Sequence, residues 1–154
     1  MAARSQFIIP AETPERPSLE QAQPIRTVVV DDSDSFLEVV CDLLDMEEAI
    51  QLVAAASDGV DAIDTVLRLK PALVVMDVNM PGLDGLTATS LMSEMFPAPA
   101  VVLMSAEDSP RLRAAAAKAG AFAFVYKPKF RDEFEAVLDR LLQSRKTAHP
   151  LGTH

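Results

Sequence analysis

Short apolar runs rich in β-branched residues alternate five times with stretches of helical periodicity, and no other feature constrains the fold as strongly. The runs, which we predict to be strands, cover residues 25–30, 50–55, 72–76, 100–104 and 121–125. Strands that are apolar on both faces and are joined by helices form parallel sheets covered on both sides. The pattern therefore predicts an α/β fold, a doubly wound five-stranded parallel sheet in a three-layer sandwich.

The segment that follows each predicted strand is predicted to be a helix, with its apolar residues in a stripe along one face. The five stripes are Phe36, Val39, Val40, Leu43 and Leu44; Ile63, Val66 and Leu67; Ala88, Leu91, Met92 and Met95; Leu112, Ala115, Ala116 and Ala119; and Phe134, Val137, Leu138, Leu141 and Leu142. Gly120 is predicted to cap the fourth helix. Asp34 is predicted to cap the first helix, and Asp84 to support its loop or cap the third. The fifth helix is predicted to end near Ser144.

A chain of 154 residues leaves room for one core of this size. Residues 1–24 contain four of the 11 prolines and show no periodicity, so we predict a flexible N-terminal extension. The folded domain is predicted over residues 25–144, followed by a C-terminal tail over residues 145–154. The apolar runs are far shorter than the roughly 20 residues that span a bilayer, and no secretory signal is recognisable. We therefore expect a cytoplasmic protein with no membrane association.

The net charge and the cysteine content exclude several other classes of protein and of site. The formal net charge of −9 argues against a broad surface that binds nucleic-acid phosphates. The single cysteine, Cys41, cannot close an intramolecular disulfide or form a cysteine zinc cluster. It is expected to be a small buried helix residue, and the fold must be stabilised by packing.

Polar side chains follow four of the five predicted strands at the point where each strand ends. They are Asp31 and Asp32 after the first strand, Asp77 after the third, Ser105 after the fourth and Lys127 after the fifth. Ligands of doubly wound sheets bind at the carboxyl ends of the strands. We therefore expect three carboxylates, a hydroxyl and an ammonium to lie together in one crevice.

Three neighbouring carboxylates repel one another unless a cation lies among them. Oxygen ligands suit Mg²⁺, which then neutralises part of the charge. One carboxylate can then attack a phosphoryl group while Lys127 and Ser105 bind the phosphoryl oxygens. The residues therefore predict phosphoryl transfer onto an aspartate.

Four stretches, residues 28–32, 74–85, 103–106 and 119–128, resemble the receiver domain of the two-component response-regulator family. The most specific is the pattern Asp-x-x-Met-Pro-x-x-Asp-Gly, which starts at Asp77. The resemblance extends from residue 25 to about residue 144. It implies a flavodoxin-like (βα)5 fold with the strand order 2-1-3-4-5.

The resemblance also implies the roles of the acidic residues. Asp77 would be the phosphoacceptor. Asp32 and Asp77 would bind Mg²⁺ directly, together with the backbone carbonyl of Asn79, and Asp31 would bind it through a coordinated water.

The remaining site residues would stabilise and report the phosphorylated state. Lys127 would pair with the phosphoryl oxygens, and its bond to Pro128 is expected to be cis. Ser105 would move to hydrogen-bond the phosphoryl group, and Phe124 would swing into the space that Ser105 leaves.

Acidic and basic residues are concentrated in different segments of the chain. Residues 31–48 carry eight carboxylates and no basic residue, whereas residues 111–131 carry six basic residues and no acidic one. Besides Lys127, the basic residues are Arg111, Arg113, Lys118, Lys129 and Arg131. In receivers this segment forms the surface of the fourth helix, fifth strand and fifth helix that rearranges on phosphorylation. We expect it to bind a partner with an acidic face, the alternative being a solvated surface.

The partners implied are a sensor histidine kinase or a histidine phosphotransfer protein as donor, and a downstream protein target. A homodimer through the same basic surface is also possible. Only ten residues follow the predicted fifth helix, so we expect a single-domain regulator without direct DNA binding. We also expect that the chain is not an enzyme.

Two alternatives remain open. Asp32-Ser33-Asp34 after a hydrophobic strand also resembles the Asp-x-Asp motif of haloacid-dehalogenase-like phosphatases, in which Asp32 would be the nucleophile. A receiver-like scaffold that works without phosphorylation is the other.

Overall fold

The computed structural model describes the backbone of residues 23–152 and the side chains of residues 23–147. Residues 1–22, most of the predicted flexible extension, lie outside the described residues, so that assignment stays a prediction. In the described part of the chain, strands and helices alternate as predicted. The strands are β1 (Ile25–Val30), β2 (Ile50–Ala56), β3 (Leu73–Asp77), β4 (Ala100–Ser105) and β5 (Ala123–Tyr126). The helices are α1 (Asp34–Asp45), α2 (Gly59–Leu69), α3 (Gly85–Ser93), α4 (Pro110–Ala119) and α5 (Phe130–Gly152).

All five strands are parallel, and their order across the sheet is β2-β1-β3-β4-β5. Helices α1 and α5 cover one face, and α2, α3 and α4 cover the other. The predicted doubly wound three-layer fold with order 2-1-3-4-5 is therefore confirmed. This order places the carboxyl ends of β1, β3, β4 and β5 at one edge of the sheet.

The central strands are buried on both faces, which is why they are apolar at most positions; in β1 the exceptions are Arg26 and the buried Thr27. In β1, Val29 packs into the core under α1 and α5, while Val28 and Val30 pack into the core under α2, α3 and α4. Full burial of such a side chain contributes roughly 1.5–3 kcal/mol. The strands therefore form a stiff support for the residues at their ends.

The predicted helix stripes are wider than the real contacts with the sheet. Their outer members Val39, Leu67, Leu91 and Leu142 are 50%, 55%, 49% and 37% exposed. A helix touches a sheet along a narrow line, and in α1 the fully buried residues on that line are Val40 and Leu44. The periodicity identified the correct face of each helix, but assigned too many residues to the core.

Helix ends agree with the sequence in part. Gly120 ends α4 with φ +103°, and Asp84 Oδ1 accepts a hydrogen bond from Thr87 N at 2.8 Å, both as predicted. Ser33, not Asp34, caps α1, because Asp34 is already the first helical residue. Helix α5 continues to Gly152 instead of ending near Ser144, since residues 145–149 contain no glycine or proline. No helix among the described residues is long and apolar enough to cross a membrane.

Candidate functional site

The carboxyl edge of the sheet brings together the residues that the sequence singled out. Asp77 and Ser105 are the last residues of β3 and β4, Asp31 directly follows β1, and Lys127 directly follows β5. The Lys127 ammonium lies 2.7 Å from Asp31 Oδ2 and 3.3 Å from Asp77 Oδ1. The predicted convergence of carboxylates and ammonium is therefore what the structure contains.

The three carboxylates form a compact oxygen cluster. One oxygen each from Asp31, Asp32 and Asp77 lies within 4.8 Å of the others. Asp31 and Asp77 are buried, whereas Asp32 is exposed. Asp31 Oδ1 accepts a hydrogen bond from Ser33 N at 2.8 Å, and Oδ2 is paired with the Lys127 ammonium. Three carboxylates this close together, with one ammonium to offset their charge, fit a hard cation such as Mg²⁺.

Burial is the main influence on the acidity of Asp77. It raises the pKa of Asp77 to about 6, and the charge of Asp31 adds to the increase. Lys127 and the backbone N–H of Asn79 lower the pKa, but less than burial raises it. Near neutral pH this carboxylate is thus ionised at an energetic cost, which a cation can offset.

Ser105 and Phe124 lie on adjacent strands and have different environments. Ser105 is fully buried, and its Oγ accepts a hydrogen bond from Glu107 N at 3.0 Å. Phe124 is half-buried, and the Arg113 guanidinium lies over its ring, 4.8 Å from the centroid. A concerted movement of Ser105 and Phe124 stays a prediction.

The expected cis bond between Lys127 and Pro128 is wrong. Among the described residues the one cis peptide bond joins Phe96 to Pro97. Lys127–Lys129 instead forms a short 3-10 turn that leads directly into α5, with Pro128 in its first turn. Proline suits that position because it has no N–H that would need a partner.

Sequence reasoning missed two residues that contact the site. Gly85, at the start of α3, is so close to β3 that a methyl group there would collide with the Asp77 carbonyl oxygen and lie 2.9 Å from Val78 Cα. Phe36, predicted only as a core residue, places its ring 4.5 Å from the Lys127 ammonium. The last residue of the Asp-x-x-Met-Pro-x-x-Asp-Gly pattern indicated Gly85. The position of Phe36 had no signal beyond helical periodicity.

We expect Gly85→Ala to destabilise the fold by about 2–3 kcal/mol, because backbone atoms of β3 would have to move. Gly82→Ala is the matched control. Gly82 has φ +77° but open space around it, so this change should cost only about 1 kcal/mol of backbone strain. Urea denaturation of both variants measures the difference, and equal losses would contradict a close packing of α3 on the Asp77 backbone.

The family model for the response regulator receiver domain matches residues 27–139. The chain belongs to the response regulator receiver domain family. Among curated relatives, protein-glutamate methylesterase/protein-glutamine glutaminase 5 of Myxococcus xanthus is 41% identical over 106 residues, which are 68% of this chain and 30% of the relative. The chain therefore spans about a third of the length of such relatives.

Solved receiver structures agree in fold. The response regulator domain of Thermotoga maritima CheB is 31% identical, with a TM-score of 0.70 over 79% of this chain and 96% of the other. The signal receiver domain of the putative response regulator NarL from Mycobacterium tuberculosis is 30% identical, with a TM-score of 0.70 over 80% and 98%. The receiver interpretation is thus confirmed over the phosphatase alternative.

The comparisons correct the expectation that the chain is not an enzyme. The curated relatives are named as enzymes, protein-glutamate methylesterases and protein-glutamine glutaminases, and that expectation is wrong. It was inferred from receiver motifs alone. The region aligned with the first relative makes up only 30% of that relative's length, so it carries little information on the enzyme class.

The basic surface of this receiver is smaller than its sequence indicates. Arg113 donates to both Asp108 oxygens, at 2.7 and 3.1 Å, and lies 3.8 Å from Glu133 Oε1. Both acids lie just outside the basic segment and were not counted with it. The exposed basic residues that remain are Arg111, Lys118, Lys129 and Arg131.

Proposed function

We propose that this receiver accepts a phosphoryl group on Asp77 in a Mg²⁺-dependent reaction. One observation carries the proposal: the Lys127 ammonium lies 3.3 Å from Asp77 Oδ1, beside a three-carboxylate cluster. This combination places a nucleophilic oxygen, a cation and a set of metal ligands within one crevice. Membership of the receiver family supports the same chemistry.

Asp32 and Asp77 would bind Mg²⁺ directly, with the backbone carbonyl of Asn79, and Asp31 would bind it through a water. The ion supplies positive charge that stabilises the phosphoryl oxygens during transfer. Asp32 is the exposed member of the cluster and Asn79 is also exposed, so both can be reached from solvent. Asp31 is the fully buried member of the cluster, and its carboxylate would accept a hydrogen bond from that water.

In the proposed step, an oxygen of the Asp77 carboxylate attacks the phosphorus of a phosphohistidine. An oxygen–phosphorus bond forms while the phosphorus–nitrogen bond breaks, and the imidazole, which carries a proton on its other ring nitrogen, leaves as the neutral group with the electron pair. The Lys127 ammonium would contact the phosphoryl oxygens in place of its contact with Asp77. Ser105, which now accepts a hydrogen bond from Glu107 N, would donate its hydroxyl hydrogen to the phosphoryl group.

The donor would be a sensor histidine kinase or a histidine phosphotransfer protein. The readout would be a changed surface of α4, β5 and α5, where Phe124 lies under the Arg113 guanidinium. A downstream protein would recognise that surface, with Arg111, Lys118, Lys129 and Arg131 attracting an acidic face.

Intact-protein mass spectrometry after incubation with Mg²⁺ and acetyl phosphate tests the proposal. We expect one base-labile phosphoryl group in the wild type and none in Asp77→Asn. Asp32→Asn should require more Mg²⁺ for phosphorylation. Asp42→Asn, which changes an exposed carboxylate on α1 outside the cluster, should match the wild type. Absence of an adduct at all Mg²⁺ concentrations would contradict the proposal and favour a phosphorylation-independent scaffold.

A further inference from the structure

The Lys127 ammonium has a third neighbour besides the two carboxylates. The Phe36 ring lies beneath it at 4.5 Å from the centroid, and the lysine side chain is only 14% exposed. A lysine side chain has a flexible four-carbon stem and a strongly hydrated ammonium group, so contacts on several sides are needed to fix the position of the ammonium. The face of an aromatic ring attracts a cation without accepting its hydrogens in the way that an oxygen does.

The ring is itself fixed by a stack of aromatic side chains. Phe36 meets Phe130 edge to face, with centroids 6.4 Å apart and planes at 84°. Phe130 is the first residue of α5, three residues after Lys127, and stacks on Phe134 at 5.1 Å. The Phe36 backbone N–H donates a hydrogen bond to the Ser33 hydroxyl oxygen, which caps α1. The ring therefore connects α1 to the turn that presents the lysine.

We propose that Phe36 is a positioning residue for Lys127, and that its ring face holds the ammonium between Asp31 and Asp77 while excluding water from one side. This inference rests on the proposed phosphoacceptor function. The ammonium contacts the two carboxylates at 2.7 and 3.3 Å, and the phosphoryl oxygens would bind among these groups. A ring is better suited than a third carboxylate to be the remaining neighbour of the ammonium, because it does not compete with those oxygens for the ammonium hydrogens.

Two substitutions of Phe36 distinguish the effect of the aromatic face from the effect of side-chain volume. Phe36→Leu keeps an apolar side chain but removes the π face, and Phe36→Tyr keeps the face. We expect phosphorylation by acetyl phosphate at saturating Mg²⁺ to be roughly 3- to 30-fold slower in Phe36→Leu, and close to the wild-type rate in Phe36→Tyr. The Mg²⁺ dissociation constant should stay within about 2-fold in both variants, since no metal ligand changes.

Leu138→Ala is the control for packing. Leu138 is buried on α5 in the same core, but it is not part of the aromatic stack. Its replacement should lower the melting temperature and leave the phosphorylation rate unchanged. An equal loss of rate in Leu138→Ala and Phe36→Leu would show that general packing, not the ring face, matters.

A second readout needs neither metal nor phosphoryl donor. In metal-free wild type, the ring current of Phe36 should shift the ε protons of Lys127 upfield in the NMR spectrum. The shift should persist in Phe36→Tyr and disappear in Phe36→Leu. A wild-type rate and an unchanged ε-proton shift in Phe36→Leu would overturn the inference. Failure of the wild type itself to take up a phosphoryl group would instead overturn the proposed function.

Discussion

Asp77→Asn is expected to be more stable than the wild type in metal-free buffer at pH 7.5, by about 2 kcal/mol. The buried Asp77 carboxylate is ionised there although burial and the charge of Asp31 raise its pKa from 3.8 to about 6. A change of one pKa unit corresponds to about 1.36 kcal/mol, so the ionised form costs the fold up to about 3 kcal/mol. Asparagine keeps the shape of the side chain and removes that cost.

The sign of the pH dependence follows from the direction of the shift. Between about pH 4 and pH 6 the folded state binds the Asp77 proton more tightly than the unfolded state does. The free energy of unfolding of the wild type should therefore fall as the pH rises through this range. Other carboxyl groups also titrate there, so the difference between wild type and Asp77→Asn isolates Asp77. That difference should be largest above pH 7 and approach zero below pH 4.

Urea denaturation of both proteins with a chelator present, from pH 3.5 to 8, measures the effect. Asp42→Asn serves as the control, because Asp42 is exposed and its replacement removes one charge without uncovering a buried carboxylate. A wild type equal to or more stable than Asp77→Asn at pH 7.5 would contradict the energetic cost of the ionised Asp77 carboxylate. Adding Mg²⁺ should stabilise the wild type more than Asp77→Asn, because the variant lacks one of the proposed ligands.

The sequence predicted the strands and the strand-end residues for one physical reason. Buried parallel strands are apolar at most positions, so a polar residue at the end of an apolar run marks the edge of the sheet. Asp31, Asp77 and Lys127 were recognisable in this way, although β5 begins at Ala123 and not at residue 121. The family pattern then supplied the functional roles that position alone could not.

Contacts between distant segments could not be predicted from periodicity. Phe36 meets Lys127 only because α1 and the turn before α5 lie side by side, 91 positions apart in sequence. Arg113 belonged to an uninterrupted basic segment in the sequence, yet it pairs with Asp108 and lies near Glu133 on either side of that segment. Helical periodicity also gave Val39 and Leu67 the same weight as buried neighbours, since it identifies a face but not the width of its contact.

Lys127→Met is expected to destabilise the metal-free protein by about 3–5 kcal/mol. Methionine fills a similar volume, but it leaves the fully buried Asp31 carboxylate and the buried Asp77 carboxylate without their cation. Lys129→Met is the matched control, two residues away on the same turn. The Lys129 side chain is exposed, so this change should cost less than about 0.5 kcal/mol.

A second substitution distinguishes lost charge from lost packing. If unpaired charge causes the instability, Lys127→Met combined with Asp31→Asn should recover most of the lost stability. The double variant removes one of the two carboxylates that Lys127→Met leaves unpaired. Mg²⁺ should also restore part of the stability of Lys127→Met, since it brings positive charge to the same carboxylates. Chemical denaturation with and without Mg²⁺ measures both effects. If Asp31→Asn lowered the stability of Lys127→Met further, the lysine would be stabilising the fold through its carbon chain and not through its charge.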